Sequence, residues 1–180
     1  MSQILASERD GVASITFNRP EALNAFSPDL LREVIEAVET ADKSSSAAVI
    51  VFSGAGRAFS AGVDLKVLQN VTPVAGRISN AFDDAADAAA KVVRSTRLPV
   101  IAKVHGFCFT GALELALHCD FILTTADTKF GDTHVKWGLR PTWGMSQNLA
   151  RAVGVRRARQ ISYAAQTFTG ADALALMRAA

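Results

Sequence analysis

The chain has 180 residues, 49% of them apolar and 20% charged, with a formal net charge of +2. That size supports one domain with a substantial core, and a near-neutral charge without a basic block excludes a nucleic-acid footprint. Two cysteines, Cys108 and Cys119, are too few for a disulfide framework, and no apolar run approaches membrane-spanning length. With Glu8, Arg9 and Asp10 near its start, the sequence shows no signal or transit peptide, so reduced thiols and a cytoplasmic location are expected.

Segments 4–9 and 12–17 flank Asp10-Gly11, a strong hairpin signal. Ser27-Pro28 reads as a helix N-cap followed by Pro at the first helical position. Leu30, Leu31, Val34, Ile35 and Val38 then form an apolar stripe at helical spacing. A polar loop at 42–46 leads to a buried strand at 47–52, and this strand–helix–strand order predicts a parallel βαβ unit. The Gly54-Ala55-Gly56 loop lacks the Gly-Lys-Ser/Thr ending of a phosphate loop, and Ser60 lacks the Gly-x-Ser-x-Gly setting of a nucleophile. What remains is a strand-to-helix turn, with Gly62 permitting an unusual backbone and Val63-Asp64 opening a helix. Segment 73–96 is Ala-rich and helix-favouring, with Asp83, Asp84 and Asp87 read as its solvated side and not as a metal site.

A buried strand at 98–104 feeds the most informative stretch, Lys103 to Asp120. Gly106 and Gly111 break its pattern, and from Ala112 the spacing becomes helical. The Gly111 amide, at the helix start, has no carbonyl partner inside the helix. Glu114 lies in the first turn among apolar neighbours. One turn thus brings a free N–H and a carboxyl group together, which suits chemistry that makes an oxyanion and moves a proton. The plainer alternative is a Glu that only complements the helix dipole. Beyond it, 120–124 reads as a strand, 128–136 as irregular and 137–144 as a loop. Helices follow at 145–153, 156–164 and 171–177.

Taken together, Phe17-Asn18-Arg19-Pro20, Ala22-Leu23-Asn24-Ala25, Ala58 to Leu65, His105-Gly106 to Gly111, Glu114-Leu115-Ala116, Cys119-Asp120, Phe130-Gly131, Leu139-Arg140-Pro141 and Thr167 to Ala171 resemble the crotonase superfamily, the enoyl-CoA hydratase/isomerase family. The resemblance covers nearly the whole chain. It implies an α/β fold, a crotonase-like (ClpP/crotonase) spiral of ββα units forming a single domain. It also implies acyl-CoA thioester substrates, coenzyme A being part of the substrate with no separate cofactor or metal, and homo-oligomers, trimers or hexamers. By the same resemblance the thioester oxygen is held by the backbone amides of Val63 and Gly111. Substrate contacts fall on Ala22, Leu23, Ala61, Val63, Asp64, Leu65, Lys66, Phe107 and Gly111.

Hydratases of this family pair two glutamates. Glu114 matches the first, and His134 stands at the second. An imidazole can serve as acid or base, and in an extended segment Asp132 shares its face and can orient the ring. His134 can equally be a lining residue or bind a backbone carbonyl. The chain ends at Ala180, where the family continues with further helices, so uncovered apolar surface and a more open acyl pocket are expected. The leading expectation is hydration or isomerisation of an enoyl-CoA. The alternatives are another thioester reaction, such as hydrolysis, or acyl-CoA binding without turnover.

Overall fold

Asp10 and Gly11 both take positive φ, 51° and 81°, in the computed structural model, as a two-residue hairpin turn of the primed type requires. The hairpin they close pairs β1 (Ile4–Arg9) antiparallel with β2 (Val12–Phe17). The structure describes residues 2–69 and 72–178. Helix α1 (Pro28–Lys43) starts as its cap signal predicts: the Leu30 amide donates to Ser27 Oγ at 3.1 Å, with Pro28 at the first position. The helix buries Leu30, Leu31, Val34, Val38 and Ala41 on one face. Each fully buried Leu or Val contributes about 1.5–3 kcal/mol. The helix carries the chain to β3 (Val49–Gly54), which pairs parallel with β2, so the expected βαβ unit is present.

A short α2 (Leu65–Leu68) and a long α3 (Asn80–Ser95) precede β4 (Val100–Val104). Then come β5 (Phe107–Phe109), α4 (Gly111–Ala116), β6 (Phe121–Thr124) and β7 (Lys129–Gly131). The chain continues through α5 (Met145–Val153), α6 (Val155–Ala164), β8 (Thr167–Thr169) and α7 (Gly170–Arg178). Five strands form one sheet in the order β1-β2-β3-β4-β6, parallel except at the hairpin. A second sheet has the order β5-β7-β8. Among the described residues no helix is long and apolar enough to cross a membrane.

An aromatic cluster ties the loops to the main sheet. Phe17 of β2 meets Phe26 and Phe59 edge-on at 5.2 and 5.1 Å and stacks on Phe52 of β3 at 5.9 Å. Phe26 precedes α1 and Phe59 follows β3, so the two segments that border the site are pinned to one core. Such ring pairs add about 0.5–1.5 kcal/mol each beyond area burial.

Three expectations change. The segment 128–136 is not irregular throughout, because it holds β7 and a 3₁₀ turn, His134–Trp137. Gly106 and Gly111, read only as breaks in the pattern, bracket the short strand β5. Asp83 is not on a solvated face: it is buried, accepting from the Ser79 amide and the Thr142 hydroxyl, with Arg77 at 3.6 Å. Those partners compensate the cost of burying its charge.

Candidate active site

Two turns meet in the interior. Gly62, at φ +95°, has no room for a side chain: a Cβ there would lie 2.0 Å from Thr110 Oγ1 and 2.6 Å from the Phe109 carbonyl oxygen. The turn before α2 is therefore packed directly on the turn before α4. The Phe26 amide donates to the Gly62 carbonyl and the Asp64 amide donates to the Phe26 carbonyl, at 2.7 and 2.9 Å. In a trans peptide the Val63 N–H points opposite the Gly62 carbonyl, and so away from Phe26.

Thr110 sets the other amide. Its backbone lies at φ 47°, ψ −119°, a region that residues other than glycine rarely occupy. Such strain costs on the order of 1–3 kcal/mol and gathers at functional sites. The strained residue is held at both ends, its amide donating to the Gly131 carbonyl and its carbonyl accepting from the Glu114 amide, both at 2.9 Å. That carbonyl points down α4, so the Gly111 N–H points off the start of the helix. Among the described residues neither the Val63 nor the Gly111 amide has a hydrogen-bond partner.

A cavity of about 540 Å³ opens beside these turns. Ala22, Leu23, Ala61, Val63, Asp64 and Lys66, which the resemblance gave as substrate contacts, line it together with Phe109, Thr110 and His134. Phe107 does not. It shares a face of β5 with Phe109, 5.8 Å from that ring, but lies two positions farther along the strand, with the Lys129 ammonium over its ring. Gly111 and Glu114 are also outside the lining and lie behind Thr110 and His134. The side chain of Leu65 lies outside what the structure describes, and its backbone opens α2. A wider groove of about 670 Å³ between the hairpin and α1 shares no residue with this cavity.

Glu114 is buried, and its two oxygens differ. Oε1 accepts from the Trp143 and Met145 amides at 3.0 and 3.1 Å. Oε2 accepts no hydrogen bond and faces His134 Nε2 at 3.4 Å. The other ring nitrogen, Nδ1, lies 2.6 Å from Asp132 Oδ1, which also accepts from the His134 amide at 3.3 Å. The pairing does not come from an extended segment. A tight turn into the 3₁₀ helix brings residues two apart together, and one carboxylate oxygen takes both N–H groups.

Burial alone would lower the pKa of His134, but the hydrogen bond to Asp132 and the adjacent Glu114 carboxyl group outweigh it and raise the value to about 9. Burial opposes ionisation of Asp132, yet hydrogen bonds from His134 and Ser162 hold its pKa below the usual carboxylate value. At neutral pH the imidazole is thus a cation between two carboxylates. Neither cysteine is poised as a nucleophile: burial pushes Cys108 well above its ordinary value and Cys119 to about 12.

Folding stability should carry the mark of this array. The stabilisation from charging His134 is fully present below its unfolded pKa of 6.5 and is lost as pH rises through about 9. Urea unfolding across that window should show falling stability, and Asp132→Asn should flatten the fall. An unchanged slope in the variant would mean that Asp132 does not hold the proton on His134.

Four residues at the site escaped the sequence reading. Asn24, at φ 54°, is wholly buried and donates to the Ala55 and Ala58 carbonyls at 2.8 Å each. Arg19 pairs with Asp64 at 2.8 Å and fixes the mouth of the cavity. The others are Thr110 and Trp143, whose ring lies against Gly111. An Asn in a tight Leu-Asn-Ala turn was the one local signal available.

Comparison with known proteins gives the family. Residues 7–176 match the family described as enoyl-CoA hydratase/isomerase. The probable peroxisomal enoyl-CoA hydratase 1 of Arabidopsis thaliana is 36% identical over 164 residues, 90% of this chain and 59% of that protein. The short-chain-enoyl-CoA hydratase of Clostridium acetobutylicum is 32% identical, over 97% of this chain and 66% of its own length. The crystal structure of an enoyl-CoA hydratase from Thermoplasma volcanium superposes with a TM-score of 0.90 at 27% identity, covering 98% of this chain and 69% of that one. The chain thus spans about three fifths to two thirds of the length of these curated relatives. Its mixed α/β architecture is the crotonase fold, and the chain belongs to the enoyl-CoA hydratase/isomerase family.

Proposed function

We propose that this chain adds water reversibly across the α,β double bond of an enoyl-CoA thioester. The observation that carries the reading is the Glu114–His134–Asp132 array, whose imidazole lines the same cavity as Val63, with the unpaired Gly111 amide next to the Thr110 wall. Glu114 Oε2 takes a proton from water as the hydroxyl oxygen bonds to Cβ. The π electrons shift toward the thioester, and its oxygen gains charge. The Val63 and Gly111 N–H groups hold that oxygen, and preorganised donors of this kind are each worth roughly 10²–10³ in rate. The His134 cation then gives its proton to Cα as the thioester carbonyl re-forms. Proton transfer from Glu114 back to His134, across their 3.4 Å contact, resets both groups. The cycle uses no metal and no redox cofactor, and coenzyme A enters only as part of the substrate.

The test is hydration of crotonyl-CoA, followed by loss of the enone absorbance and by incorporation of labelled water. His134→Ala should lose most activity, with KM little changed, and the basic limb near pH 9 should vanish from the pH–rate profile. Isomerisation without label uptake would replace hydration by double-bond migration on the same site. Binding of crotonyl-CoA with neither reaction would leave only a binding protein.

Assembly into trimers or hexamers belongs to the same reading. Val155, Tyr163, Leu174 and Met177 expose apolar side chains on α6 and α7, which supports contact between copies. Sedimentation of the purified chain checks it, and a monodisperse monomer would remove that part.

A further inference from the structure

We infer that Trp143 closes the acyl end of the site, restricting its substrates to short-chain enoyl-CoA thioesters. The inference rests on the acyl-CoA reading above and adds what limits the acyl group. A thioester oxygen at the Val63 and Gly111 amides, with Cα and Cβ beside Glu114 and His134, brings the next acyl carbon toward the 143–145 turn. That turn supplies both amides that hold Glu114 Oε1.

The turn leaves no space for a chain. A Cβ on Gly111 would lie 2.7 Å from two ring carbons of Trp143, so the indole is in contact with the backbone that carries the proposed donor. Behind it the ring stacks on Phe26, with centroids 6.3 Å apart, and tilts against Phe82 at 5.5 Å. Phe26 also brackets Val63 through its two backbone hydrogen bonds. All three rings are buried, and none lines the cavity. An acyl tail therefore meets a packed aromatic wall directly behind the reacting carbons.

The wall is also anchored. His118 Nε2 hydrogen-bonds the Trp143 carbonyl, and its Nδ1 lies 3.2 Å from the Asn148 amide nitrogen. Burial favours the neutral ring of His118, which suits donation at Nε2 with acceptance at Nδ1. Gly144 turns at φ +104°, with His118 and Asn148 where its side chain would be. Moving the 143–145 backbone aside would break the hydrogen bonds to Glu114 and to His118 together, so the Cα that carries the indole is held in place.

The experiment compares the wild type with Trp143→Ala, Trp143→Leu and Trp143→Phe. It measures kcat/KM for crotonyl-CoA and trans-2-decenoyl-CoA, and Kd for butyryl-CoA and decanoyl-CoA by calorimetry. The wild type should prefer the short substrate. Trp143→Ala should move the ratio toward the long one by at least about 10-fold, since a single methylene in an apolar pocket is worth about 10–200-fold. Trp143→Phe should keep the short preference. Should the Ala variant fail to fold, Trp143→Leu is read in the same way. A wild type that prefers decenoyl-CoA, or Ala and Leu variants with the wild-type ratio, overturns the inference. If no enoyl-CoA is turned over, the proposed function falls, and the ratio of the two Kd values decides the role of Trp143 separately. Failure of both saturated thioesters to bind any variant overturns both.

Discussion

Glu114→Gln is expected to lower crotonyl-CoA hydration by roughly 10²–10⁴-fold, the scale of a lost general base. The replacement is close to isosteric and keeps an oxygen for the Trp143 and Met145 amides, so the 143–145 turn should stay in place. What disappears is Oε2, the carboxylate oxygen with no hydrogen bond that faces His134. Affinity for butyryl-CoA should change little, because the cavity lining at Ala22, Leu23, Asp64 and Lys66 is untouched. The proton on His134 should also come off more easily, since one of the two carboxylates that raise its pKa is gone. A variant with wild-type turnover would return Glu114 to a structural part, holding the 143–145 turn and nothing more.

Gly62→Ala should be damaging in a different way. The new methyl would fall 2.0 Å from Thr110 Oγ1 and 2.6 Å from the Phe109 carbonyl oxygen; the hydroxyl can turn about χ1, but the carbonyl cannot retreat without moving β5. The residue would also sit at φ +95°. Overpacking and backbone strain together should destabilise the fold by about 2–5 kcal/mol. Because the clash drives the two turns apart, turnover in the folded fraction should fall by roughly 10²–10³, the cost of losing one oxyanion donor. Gly138→Ala is the control. Gly138 also has a positive φ, 65°, but nothing lies within 4 Å of a Cβ there, so only a backbone cost of about 1–2 kcal/mol is expected. Stability is read by urea unfolding, turnover by the hydration assay. If Gly62→Ala loses stability but keeps full turnover, the contact between the two turns is packing and the donor pair does not depend on it.

The sequence by itself determined the elements whose hydrogen bonds are local. The Asp10-Gly11 hairpin, the Ser27 cap and buried stripe of α1 and the three C-terminal helices were legible because their signals are written in adjacent turns of chain, and the βαβ unit followed from the order of its elements. The special backbone at Gly62 and the helix start at Gly111 were legible for the same reason. Strands β5, β7 and β8 were not. Three residues are too few to show a period, and each is a strand only because another segment lies alongside it. Asp83 shows the same limit, since an acidic residue reads as solvent-facing until Ser79, Thr142 and Arg77 are brought to it. The order of the motifs named Glu114 and His134. Only the tertiary structure decided that their side chains meet at 3.4 Å, that Asp132 closes a turn onto the imidazole, and that Trp143 fills the space against Gly111. Those contacts join residues from three separate segments, so burial and charge at each depend on the others being in place.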